Sequence, residues 1–271
     1  GRVSRMPAEI ERLPAPLTVG QSGDAGLAEQ YGTCLGELCG AFGFNVDFAP
    51  CLDIWSNPEN TVIGDRAFGT DASAAAALGN AAAEGIAAQG VIPVVKHFPG
   101  HGDTAVDSHV GLPVVEKSLE ELEAQELIPF QEAIDRGAPA IMAAHILEKG
   151  IDPDAPASLS YKVVTGLLRE RMGFDGVVFT DDLTMGAVSE TYGMGEAAVL
   201  AVEAGCDMLL VCHGTENLAA AYEAILSAVE SGRISRARLD ESVYRILSLK
   251  VEYGLTNAPS PEADVESLDG A

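Results

Sequence analysis

Five short apolar runs, each followed by a polar loop, a helix-like segment and a glycine, recur along this 271-residue chain. Residues 44–50, 91–98, 140–146, 176–180 and 207–212 are apolar on both faces, as parallel strands covered by helices must be. The segments between them carry helix start and stop signals. Asp71 can cap the alanine-rich stretch that ends at Gly90, and Ser118 with Glu121 fits a capping box, in which each side chain satisfies an orphan amide. Pro129 is expected to break the helix begun at Ser118, with the turn after it running on to Gly137. Ser160 precedes a helix over 161–172, and Gly173 fits a left-handed stop. Residues 196–204, 216–230 and 235–253 read as three further helices. In the last, Leu239, Val243, Ile246 and Leu247 share one face, which is expected to dock on a core.

Strand–helix units in succession define an α/β fold, and two architectures compete: a doubly wound open sheet and a (β/α)8 TIM-type barrel. A barrel needs eight strands over about 250 residues, and five strands are visible. No glycine-rich strand-to-helix fingerprint for a dinucleotide is present. Polar residues instead cluster just beyond the ends of several strands, where barrel active sites are built, which favours the barrel. The composition, 47% apolar and 21% charged, is that of a globular domain. With 16 basic and 41 acidic residues the net charge is −25, which argues against nucleic-acid and anionic-membrane partners. No apolar run is long enough to span a bilayer. Five cysteines (Cys34, Cys39, Cys51, Cys206, Cys212) form no CxxC pair and no disulfide framework, and free thiols lean towards a reducing compartment. Residues 256–271, rich in Pro, Ser, Asp and Glu, read as an acidic disordered tail after a domain over 1–255.

Chemistry-bearing residues concentrate in three places. The densest is Lys96-His97-Phe98-Pro99-Gly100-His101-Gly102-Asp103-Thr104-Ala105-Val106-Asp107-Ser108-His109, which holds three of the five histidines in a loop with little core to build. Asp107 and His109 are two residues apart, so their side chains can meet. A carboxylate beside an imidazole fixes its tautomer and suits it to general acid and base work. The second is Phe179-Thr180-Asp181-Asp182-Leu183-Thr184-Met185, at a strand end, where only one of two adjacent acids can face a barrel mouth. The third is Gly64-Asp65-Arg66-Ala67-Phe68-Gly69, whose Arg66 can grip a ligand through two hydrogen bonds or pair with a neighbouring acid. His145, in Ala143-Ala144-His145-Ile146, reads as a satisfied core histidine rather than a mouth residue, and Met185, Met194 and Met208 as packing.

These strings closely resemble glycoside hydrolase family 3, in its bacterial β-N-acetylglucosaminidase branch. The KHFPGHG-xxxx-DSH pattern of residues 96–109 is highly specific, and the resemblance extends to about Leu255, including Pro156-Ala157-Ser158-Leu159-Ser160. It implies a (β/α)8 barrel, incomplete here because Gly1-Arg2-Val3 looks like the end of a D-x-E-G-G-R-V motif, with three strands and a sugar-holding aspartate expected upstream. A barrel without those strands is expected to be poorly stable, since two sheet edges stay open. The resemblance assigns Asp181 as nucleophile, His109 as acid/base assisted by Asp107, and Arg5, Arg66, Lys96 and His97 as contacts to N-acetylglucosamine. It implies retaining exo-hydrolysis of terminal β-linked N-acetylglucosamine by a monomer without cofactor or metal, in a compartment it leaves open. Three alternatives stand beside it. Phosphorolysis is one, because a neutral imidazole repels phosphate less than a carboxylate would. A metal-dependent barrel hydrolase using His97, His101, Asp103, Asp107 and His109 is another. The third is a non-catalytic sugar-binding protein or an inert fragment.

Overall fold

The computed structural model describes residues 3, 4, 6, 7, 10–104, 111–256 and 258, and all five apolar runs become strands in it. The strands are β1 (Val46–Asp47), β2 (Ile92–Phe98), β3 (Val114–Val115), β4 (Ala140–Ala143), β5 (Leu147–Glu148), β6 (Val177–Asp182) and β7 (Met208–Leu210). Five of them form one curled, fully parallel sheet in the order β1-β2-β4-β6-β7, while β3 and β5 pair separately. The order never reverses, so the sheet lacks the switch point that defines a doubly wound fold. The short β3 and β5 were not foreseen: the run over 140–146 leaves the sheet at Ala143, and the chain then pairs Val114 with Leu147 and Val115 with Glu148.

Strand periodicity divides the interior in two. Ile92, Val94, Ala140, Met142, Val177 and Phe179 share one face and one core cluster. Val95, Ile141, Ala143 and Val178 point the other way, into the layer packed by the helices. Because all five strands run in the same direction, their carboxyl ends lie at one edge, which collects Cys51, Lys96, Thr180 and Asp182.

Helices α1 (Pro16–Gly20), α2 (Ala25–Ala41), α3 (Ala72–Ala88), α4 (Leu119–Ala124), α5 (Ile128–Asp135), α6 (Gly186–Tyr192), α7 (Met194–Ala204), α8 (Thr215–Glu230) and α9 (Arg236–Glu252) link and cover the strands, together with a π-type helix over Lys162–Arg171. Asp71 accepts the Ala74 amide, and both halves of the Ser118–Glu121 capping box are made. Pro129 corrects the reading given it. It sits in the first turn of α5, where a missing N–H costs nothing, and so opens a second helix instead of breaking the first.

Helix α2 escaped the sequence reading because four glycines (Gly26, Gly32, Gly36 and Gly40) dilute its pattern. Contact with α3 and its C-cap explains Gly32 and Gly36, the latter because an added Cβ would lie 2.8 Å from Gln89 Cβ and 3.0 Å from the Ile86 carbonyl oxygen. A Cβ on Gly32 would lie 2.0 Å from the Ala82 carbonyl oxygen, and one on Gly85 of α3 would lie 2.1 Å from that of Glu29.

Helix α9 docks through part of the face expected, Ile246 packing beside Leu249 against the strand core. Val243 and Leu247 remain exposed at 44% and 54%, while Ser242 and Leu249 are buried. The rest of the seat is polar: buried Asp207 accepts hydrogen bonds from Ser242 Oγ (2.6 Å), Arg169 (2.6 Å) and the Val178 amide (2.9 Å). No helix among the described residues is long and apolar enough to cross a membrane. Residues 257 and 259–271, most of the expected tail, lie outside the described residues.

Candidate active site

At the carboxyl edge the chain changes from apolar to polar at four of the five strands of the sheet. Beyond β1 it delivers Cys51 and Asp53. Beyond β4 it delivers His145, and β2 and β6 end in Lys96-His97 and Asp181-Asp182. The Lys96–His97 and Phe98–Pro99 peptides are cis.

Asp53, which the sequence reading passed over, is the hub. It is 1% exposed and accepts the amides of His97 and His101, the latter at 2.7 Å. Its Oδ2 also lies 2.6 Å from His97 Nδ1. The other ring nitrogen, Nε2, lies 3.4 Å from an Arg66 guanidinium nitrogen. A guanidinium can only donate, so Nε2 accepts, Nδ1–H donates to Asp53, and the ring is neutral. Burial is the main cause pushing His97 below its ordinary value, despite the adjacent carboxylate. Asp53 is itself held below the usual carboxylate range: burial opposes ionisation, but His97 and the His101 amide outweigh it. The sequence signal was a single acid closing the apolar string Cys51-Leu52-Asp53-Ile54.

Arg66 rides on the short turn Gly64–Arg66 and is braced by the Val62 carbonyl at 3.1 Å. Its guanidinium lies within electrostatic reach of Cys51, Asp53 and Asp181. The loop bearing it is fastened by buried Asn60, which accepts the Val62 and Ile63 amides and donates to the His101 carbonyl at 2.7 Å.

The two acids of β6 divide as strand geometry requires. Asp182 is committed to its own turn, accepting Thr184 Oγ1 at 2.6 Å and the amides of Thr184 and Cys212 at 3.0 Å. Among the described residues Asp181 is bonded only to the following amide, at 2.8 Å, and faces His97, His145 and Lys96. Burial raises its pKa, but His97, then His145, Lys96 and the Asp182 amide prevail, so it lies below the ordinary carboxylate value. With both imidazoles neutral, the Lys96 ammonium and the amide carry most of that effect. His145 is buried, as expected, but it also serves the site. Its Nε2–H donates to the Asp182 carbonyl (3.0 Å), and its Nδ1 accepts from Ser158 Oγ (2.6 Å), which steadies the backbone beside Asp181.

Thus Arg66, Lys96, His97 and Asp181 come together. Arg5, Asp107 and His109 lie outside the described residues. Of the metal-hydrolase set, only His97, His101 and Asp103 are among the described residues; there His101 Nδ1 bonds Thr104 Oγ1 at 2.8 Å, and Asp103 pairs with Lys117 at 2.9 Å. Among the described residues, Cys51, Asp53 and His97 alone bring three ligand atoms within 4.8 Å of one another. The Arg66 guanidinium beside that trio disfavours a cation there. A cavity of about 110 Å³ opens between Arg66, Lys96, Cys51, Phe48 and Tyr31. A separate depression of about 550 Å³ lies among Glu123, Gln131, Asp135 and Arg171 on the outer helices, remote from these groups.

The glycosyl hydrolase family 3 N-terminal domain matches residues 1–249. A beta-hexosaminidase of Methylococcus capsulatus is 42% identical over 228 residues, covering 83% of this chain and 68% of that protein. One from Nitrosomonas eutropha is 35% identical over 258 residues, covering 92% and 74%. The solved structure of a glycoside hydrolase family 3 β-N-acetylglucosaminidase from Paenibacillus sp. str. FPU-7 superposes with a TM-score of 0.92 at 45% identity, over 99% of this chain and 53% of that one. The chain therefore spans about half the length of the Paenibacillus enzyme. On the sequence match and the superposition together, the chain belongs to glycosyl hydrolase family 3.

Proposed function

We propose that residues 1–255 form the catalytic domain, of (β/α)8-barrel type, of a retaining exo-β-N-acetylglucosaminidase acting on cell-wall or chitin-type glycans. One observation carries the reading. Of two adjacent acids at a strand end, Asp182 is consumed by its turn, while Asp181 stays ionised among Lys96, His97 and Arg66. That is the state a carboxylate nucleophile requires. The names of the relatives support the substrate class.

In this reading Asp181 attacks the anomeric carbon as the glycosidic C–O bond breaks. Protonated His109, paired with Asp107, gives its proton to the leaving oxygen, and a covalent glycosyl-aspartate forms. Neutral His109 then takes a proton from the water that attacks the same carbon, releasing the sugar and restoring the carboxylate. The usual scheme employs two carboxyl groups, and here an imidazole replaces the second. Arg5, Arg66, Lys96 and His97 hold the sugar hydroxyls and acetamido group.

The test is hydrolysis of 4-nitrophenyl N-acetyl-β-glucosaminide by the full-length protein, with the product anomer read by NMR. Net retention, abolished in Asp181→Asn, is expected. Inversion, or undiminished turnover in that variant, overturns the assignment. Added phosphate that diverts product to the sugar 1-phosphate would make the enzyme a phosphorylase. Loss of activity in a chelator would favour the metal-dependent reaction.

A further inference from the structure

Beside the site lies an acid that nothing above uses. Glu148, on β5, is fully buried, and neither carboxylate oxygen has a partner. Three charged groups face it: Glu126, Lys117 and Asp103. Lys117 bridges the other two, at 2.5 Å from Glu126 Oε1 and 2.9 Å from Asp103 Oδ2. The second oxygen of Glu126, Oε2, is also buried without a partner. Fully ionised, Glu148 and Glu126 would set two buried carboxylates near one another, with only the partly exposed Lys117 ammonium to offset them and the partly exposed Asp103 adding to the repulsion, which is costly. Either a cation or a proton must relieve this. The carboxylates do not bring three ligand atoms within 4.8 Å, so they do not converge on a metal ion. A proton remains, and the two orphaned groups become complementary if it sits on Glu148.

The cluster also occupies a particular place. Asp103 precedes residues 105–110 and is held by Ser56 Oγ at 2.9 Å. Strand β3 follows them, and pairs with β5 at Val115–Glu148. The Glu126 side chain packs against Gly100, where an added Cβ would meet its Cβ at 2.9 Å.

We propose that Glu148 is a positioning residue that works as a neutral carboxyl, donating its proton to Oε2 of Glu126 and so tying β5 to the Lys117–Asp103 pair on both sides of residues 105–110. Its bearing on turnover rests on the reading that Asp107 and His109 supply acid and base. Burial first, then Glu126 and Asp103, push Glu148 from the ordinary 4.5 up to about 8, against the opposing pull of Lys117. A folded-state value above the unfolded one means the stabilisation is complete below 4.5 and is lost as pH rises through 8.

Glu148→Gln keeps a neutral donor at every pH. Infrared titration of the wild-type full-length protein should show a protonated-carboxyl band at pH 6 that fades through pH 8 and is missing in the variant. The folding constant of wild type relative to the variant should fall at least about tenfold between pH 5 and 8. The alkaline limb of kcat should move to higher pH in Glu148→Gln, with KM unchanged. An absent band, or identical pH dependence of stability in the two proteins, overturns the proton and does so independently of any activity. An unmoved kcat limb overturns the positioning role. Failure of the glycosidase reading would appear separately, as undiminished turnover in Asp181→Asn.

Discussion

Asp181 and Asp182 are chemically identical neighbours, and only their hydrogen bonds tell them apart. Asp181→Asn is expected to lower kcat by at least about a thousandfold with little change in melting temperature, because the shape is kept and the charge removed. Asp182→Asn should instead lower stability by about 1 kcal/mol, since it weakens charge-assisted bonds to Thr184 and Cys212. The Asp53–His97 pair predicts acid sensitivity. His97 lies below its ordinary 6.5 in the folded state, so the stability it contributes is present above that pH and lost as pH falls below it. Asp53, also depressed, adds a second loss below its ordinary 3.8. Thermal melts from pH 7 to 4 should show the first step in wild type and not in His97→Gln. At this scale the Lys96-His97 and Asp181 positions were legible because a strand end followed by polar residues is a local signal. Asp53 was not, because one acid closing an apolar run looks the same whether it caps a turn or anchors an imidazole 44 residues away.

Among elements, the strands were the most legible, since double-sided burial leaves an uninterrupted apolar run. Helix α2 was hidden by its glycines, and Pro129 was misjudged because its meaning depends on where a helix begins. The glycines of α2 separate by context. Gly32→Ala should destabilise by about 2 kcal/mol or more, as the new methyl must displace the Ala82 backbone. Gly40→Ala meets nothing within 4 Å and should stabilise by up to about 1 kcal/mol. Denaturant melts of the two variants give opposite signs if backbone contact between α2 and α3 is the reason for the glycines. The face of α9 was read only in part: Ile246 does pack on the core, but apolar periodicity cannot reveal the polar half of the seat, made by Ser242 on Asp207 and by Arg238 on the Val202 and Cys206 carbonyls.

For the molecule as a whole, a net charge of −25 on 271 residues sets up self-repulsion that salt screens. Raising ionic strength from low to physiological should therefore raise the melting temperature. An unchanged or falling value would show that surface ion pairs such as Arg233 with Glu196 and Glu203 outweigh the repulsion. The same molecule is built on opposed ends of one strand. Asp181 terminates β6 where chemistry is expected, and Val178 near its start is moored to Asp207 together with Arg169 and Ser242. At about 3.3 Å per residue, some 10 Å of rigid strand separates the anchor from the proposed nucleophile. The foundation can therefore be weakened without altering the chemistry: Asp207→Asn should lose about 3 kcal/mol of stability while each surviving folded molecule turns over at its former rate.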